Sequence, residues 1–150
     1  MSTHTDARSG VVLLYIGDLF GLNNVRRAYS IDGGLTFAFV HSNVLGDDAS
    51  GGGGMSYVDE KTIKLPDGGR RLFAMKGGSA IYSFISSDDD VFMLEPGTRL
   101  TLGDLPDLRP QSVNDPVVVR LADGRYRMYV AARATMPATR WVIVSATTTR

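Results

Sequence analysis

The chain has 150 residues, 43% hydrophobic and 21% charged, with 16 basic side chains balanced by 16 acidic ones and no cysteine. This composition suits one globular domain with its own core. The balanced charge offers no field to a nucleic-acid backbone, and the lack of cysteine excludes disulfides and thiolate chemistry.

Residues 1–10, "MSTHTDARSG", show no apolar pattern and are expected as a flexible tail ahead of a domain over 11–150. "VVLLYIGD" follows, stopping at Asp18 without a small-residue cleavage site behind it, so it reads as a strand rather than a leader. No apolar run approaches the roughly 20 residues of a membrane-spanning helix. The default expectation is therefore a soluble, cytoplasmic protein without a membrane partner, unless the chain is part of a longer secreted one. "NVRRAYS" and "LTFAFV" are two more strands around the turn "SIDGG". "GGGGMS" at Gly51 is a linker, since neither a Gly-Lys-Ser/Thr nor a helical pattern follows to make it a phosphate cradle. The strands "TIKLPDG", "RRLFAM", "AIYSFIS" and "VFMLE" come next, and then "VVVRLADG", "RYRMYVA" and "WVIVSAT". Branched and aromatic residues fill these runs, and Gly and Pro fall between them. The fold class is all-β.

These strands are copies of one another. "DEKTIKLPDGGRRLFAMK" from Asp59 matches "DPVVVRLADGRYRMYVAA" from Asp115, 56 residues on and without a gap. Ser30 falls on Ser86 at the same spacing, and "AIYSFISSD" from Ala80 falls on "VIVSATTTR" from Val142 at a spacing of 62. Repeats of four antiparallel strands signal a β-propeller. About three blades are expected, near 11–50, 57–105 and 113–150, with three, four and three strands. A ring needs typically four to eight blades. A second copy of the chain is therefore the expected partner, closing a ring of five or six blades as a homodimer.

The octet Ser30-Ile31-Asp32-Gly33-Gly34-Leu35-Thr36-Phe37 resembles the Asp-box of sialidase-type propellers, and "DPVVVRLADGRYRMYV" resembles the blade-opening strands of five-bladed glycoside hydrolase-like propellers, the arabinanase, xylosidase and invertase relatives. The resemblance implies a structural turn built on Ser30, Asp32, Gly34, Thr36 and Phe37. It implies catalytic carboxylates at the start of innermost strands, here Asp59 and Asp115, with Glu60, Tyr57 and Asn114 as ligand contacts. Two such acids suit glycoside hydrolysis when one keeps its proton and the other is ionised. The third-blade glutamate such hydrolases use has no counterpart here, because Glu95 falls on a peripheral strand, facing solvent or Arg99. The leading expectation is thus a non-catalytic or vestigial propeller module that binds a carbohydrate or small ligand on its axis. A glycoside hydrolase assembled across the oligomer and a protein-interaction scaffold are the alternatives.

Other residues carry less. Asp88-Asp89-Asp90 reads as an exposed acidic turn in preference to a calcium loop, lacking the further ligands. His4 and His41 are too separated for zinc. Trp141, Tyr126 and Tyr129 suit either packing or stacking on a sugar. Neither a cofactor nor a metal is expected.

Overall fold

The structure, a computed structural model, describes residues 2–5, 10–19, 22–45 and 57–148. Strands β1 (Ser2–Thr5), β2 (Val11–Leu19), β3 (Leu22–Ser30) and β4 (Ala38–Asn43) form a first sheet in that order. A second sheet runs β5 (Tyr57–Lys64), β6 (Arg70–Lys76), β7 (Ala80–Ser86) and β8 (Met93–Leu94), with β9 (Leu100–Thr101) also on β7. The third holds β10 (Val113–Arg120), β11 (Tyr126–Ala134) and β12 (Arg140–Thr147). All pairings between these strands are antiparallel. β1 and β10 both lie against β5, so the first strand of each sheet faces its neighbours. The fold is a partial β-propeller without an α-helix among the described residues.

Local chemistry sets the hairpins. In the second sheet Leu65 N–H donates to Gly69 O at 2.8 Å and Gly68 N–H to Leu65 O at 3.1 Å. Leu121, Arg125 and Gly124 repeat this pattern at 2.7 and 3.0 Å. Gly68 and Gly124 stand at φ +93° and +84°, where a side chain would be strained. The carboxylates of Asp67 and Asp123 each accept the N–H two residues on, at 3.1 Å.

The octet is a self-contained turn. Asp32 Oδ1 accepts from Ser30 Oγ (2.6 Å), Leu35 N–H (3.1 Å) and Thr36 N–H (3.0 Å), while Oδ2 accepts from Thr36 Oγ1 at 2.6 Å. Ser30 Oγ accepts Gly34 N–H at 2.8 Å. The Ser30 and Thr36 hydroxyls, with the backbone donors, hold the Asp32 carboxyl far below the ordinary range. The polar side chains of the octet, Ser30, Asp32 and Thr36, all bond within the turn itself. Phe37, its last residue, is half-buried.

Several expectations change. Ser2–Thr5, placed by the sequence reading in a flexible tail, forms β1 and pairs with β2 from Ser2↔Leu14 to Thr5↔Val11. The first sheet therefore has four strands, not three. The outer strand of the second sheet breaks after Leu94, at Pro96-Gly97, and resumes as β9. Proline cannot donate to a ladder, and Gly97 turns the chain at φ +78°. The acidic turn is not simply solvated: Arg27 Nη1 reaches Asp90 Oδ1 at 2.6 Å, and Arg70 Nε reaches Asp89 Oδ2 at 3.0 Å. Arg27 thereby ties the first sheet to the second. The linker at Gly51 and the side chains of His4 and His41 lie outside the described residues.

Two apolar seams hold the sheets together. Val25, Val44 and Leu45 of the first sheet pack on Tyr57, Leu72, Ala74, Phe84 and Phe92 of the second. Phe73, Met75, Ile81 and Leu100 then pack on Val113, Val118, Val130 and Ala132 of the third. The alternation of side chains along each strand lets the second sheet feed both seams.

Candidate functional site

Two aspartates stand in matching strained positions. In β5 the register jumps between Val58↔Met75 and Lys61↔Phe73, so Asp59 and Glu60 together oppose one residue of β6. In β10 it jumps between Asn114↔Ala131 and Val117↔Tyr129, so Asp115 and Pro116 do the same on β11. Both are β-bulges, which re-aim side chains and recur near active sites. Asp59 has φ +58° and Asp115 φ +51°. L-residues reach this region at a cost, with aspartate among the more tolerant. The bulge inserts Glu60 and Pro116 fully into the interior and leaves Asp59 half-buried and Asp115 exposed.

The pair is electrostatically coupled. Burial pushes the Asp59 carboxyl above the ordinary range, and the charge of Asp115 pushes the same way. The backbone N–H of Asp115, donating to the Asp59 carboxylate, pulls partly back. For an acid whose folded pKa is raised, the folded state binds more protons between the unfolded and folded pKa values, so stability falls as pH rises through that window. Asp59→Asn is therefore expected to be more stable than the parent at pH 7, with the advantage fading as pH drops below the ordinary aspartate value. Urea titrations at pH 7 and pH 3.5 check this, and equal gaps at both would contradict it.

The remaining predicted contacts are placed differently from one another. Glu60 is fully buried. Tyr57 is 5% exposed and belongs to the first seam, its ring edge-on to Tyr82 at 5.6 Å and to Phe84 at 4.9 Å. Lys76 Nζ sits 4.9 Å from its centroid. Asn114 adjoins Asp115, and its Oδ1 is buried without a hydrogen-bond partner, an unmet demand that costs stability. The structure thus brings Asp59 and Asp115 together on the first strands of the second and third sheets, with Asn114 next to Asp115 in the chain. Among the described residues no three acidic, histidine or cysteine side chains gather closely enough to share a metal ion.

A second polar cluster lies at the outer side of the second sheet. Glu95 takes Arg71 in a two-pronged pair at 2.7 and 2.9 Å and accepts from Ser83 Oγ at 2.6 Å. Arg99 donates to Ser83 Oγ at 2.6 Å and stands 3.9 Å from Glu95. Burial pushes the Glu95 carboxyl up, but Arg71, Ser83 and Arg99 outweigh it and hold it below the ordinary range. Arg71, rather than solvent or Arg99, is its main partner. Sequence reading missed this, though Arg71 and Arg127 falling on the same repeat position was a signal. Two cavities of about 590 and 390 Å³ open between the second and third sheets beside this cluster. Neither touches Asp59 or Asp115.

No family model matches the sequence, and no curated protein matches it either. Solved structures share the fold. An endo-arabinase from Bacteroides thetaiotaomicron superposes with a TM-score of 0.75 at 14% identity, over 97% of this chain and 54% of that one. An endo-1,4-beta-xylanase from the same organism gives 0.66 at 13% identity, over 93% and 43%. A beta-fructofuranosidase from Schwanniomyces occidentalis gives 0.67 at 15%, over 95% and 27%. The class is therefore a β-propeller of the architecture seen in glycoside hydrolases. The chain spans about half or less of these neighbours' length.

Proposed function

We infer that the chain is a glycoside hydrolase-type propeller module that binds a carbohydrate at the Asp59–Asp115 end without turning it over. The repeated positive-φ aspartate is the observation that carries this reading: strain kept at the same point of two sheets is a mark of function. Paired carboxylates beside an unsatisfied Asn114 suit the hydroxyl donors of a sugar. The octet from Ser30 is read as an Asp-box with a purely structural role. Titration calorimetry with arabino-, xylo- and fructo-oligosaccharides tests binding. Asp115→Asn is expected to weaken it about tenfold, the scale of one charge-assisted hydrogen bond. Absence of binding by the parent to all three sugar classes would sink the proposal.

A second reading is favoured by the raised Asp59 beside Asp115, since a proton-holding acid next to another carboxylate is what glycoside hydrolysis uses. Turnover of aryl glycosides by the parent, lost in Asp115→Asn, would decide for the enzyme.

A second copy is the proposed partner in closing the ring. On the outward face of the third sheet, Val117, Val119, Tyr129, Trp141 and Ile143 are all exposed. Val119, Tyr129 and Ile143 hold the places that Ile63, Phe73 and Ile81 hold in the second sheet, where those three pack on a neighbouring sheet.

A further inference from the structure

We propose that the outer edge of β12 docks an extended segment of another polypeptide, reading aromatic, any residue, aliphatic, carboxylate. The proposal is independent of the Asp59–Asp115 site. β3 carries β4 on its outer edge and β7 carries β8, whereas β12 has only β11 beside it among the described strands. That edge runs eight residues, "RWVIVSAT", without Lys or Pro, and its one charge, Arg140, is at the start. Such an edge is a template for strand addition.

The repeat says what the added strand carries. In the second sheet Glu95 N–H donates to Ser83 O at 2.9 Å, and its carboxylate takes Ser83 Oγ and Arg71. The cross-strand register makes Ser145 the equivalent of Ser83 and Arg127 the equivalent of Arg71. Both halves of the cradle are thus present in the third sheet, and Arg127 Nε donates to the neutral Thr147 Oγ1 at 3.0 Å. Phe92 and Leu94, three and one residues before Glu95, fill the seam between the first and second sheets. At the corresponding seam between the second and third sheets lies the 590 Å³ cavity, walled in part by Leu100, Leu105, Val130 and Val144. An incoming aromatic and aliphatic pair would drop into it as the carboxylate meets Arg127 and Ser145. A second copy's own β12 supplies no carboxylate, so edge-to-edge pairing of two copies does not satisfy Arg127.

The chain's own residues 90–97, "DVFMLEPG", capped at both ends, serve as the probe. Trp141 is the only tryptophan and stands in β12, and the peptide has none, so indole emission reports binding at that edge. Titration is expected to give a saturable emission change together with slowed amide exchange along β12. The peptide with Glu95→Gln and the protein with Arg127→Ala should each bind about tenfold more weakly, and the two together little worse than either. Arg127→Glu should regain binding with a peptide carrying Glu95→Lys. No saturable change, affinity indifferent to these substitutions, or slow exchange along the β12 edge in the free protein would each overturn the proposal.

Discussion

Phe84→Ala is expected to destabilise the fold by about 3–5 kcal/mol, the range for deleting a buried phenylalanine. Phe84 has no solvent exposure and sits at the centre of the first seam. It pairs across β6 with Leu72 and across β8 with Leu94, and its ring meets Tyr57 edge-on at 4.9 Å. Three strands and the adjoining sheet therefore lose contacts together, and the closed seam leaves little room to collapse into the gap. Because a domain of this size holds only about 5–15 kcal/mol in total, the urea midpoint should fall by about a fifth or more. Ile85→Ala, one residue on and 37% exposed, is the control and should cost under about 1.5 kcal/mol. Equal losses in the two variants would contradict the assignment of Phe84 to the core.

Ile143→Arg is expected to halve the solution mass. Ile143 is 71% exposed and Trp141 58%, on a face whose equivalents in the second sheet are packed. An exposed apolar patch of this kind marks a contact surface. With a second copy covering it, the parent should run as a discrete species of twice 16.2 kDa. A guanidinium forced into that contact would have to be desolvated without a partner, at a cost of several kcal/mol. Light scattering at micromolar concentration should then give 16.2 kDa for the variant. A monomeric parent would contradict closure by self-association. It would leave the strand-docking proposal at β12 standing, since that needs the outer edge of the sheet open and no second copy on its face.

Which parts were legible follows from how far apart the interacting residues lie. The hairpins at Asp67-Gly68 and Asp123-Gly124, and the turn around Asp32, depend on groups within about four residues of each other, so the residues themselves announce them. The 56-residue spacing carried strand order and sheet count, because copies of one motif fold alike. β1 was missed for the opposite reason: "STHT" has no apolar pattern, and its place is given by backbone pairing to β2. Glu95 was assigned to solvent or Arg99 because strand alternation shows which face a residue takes but not what stands across it.

The sequence by itself thus determined an all-β repeat, its turns, and the equivalence of the Asp59 and Asp115 segments. Tertiary structure alone decided that both aspartates sit on bulges at positive φ, that Tyr57 and Glu60 turn inward, and that Arg27 and Arg70 neutralise the turn at Asp89-Asp90. Bulge register and ion pairing are settled by packing between sheets. The partners lie up to 63 residues apart, and a local pattern carries no record of such distances.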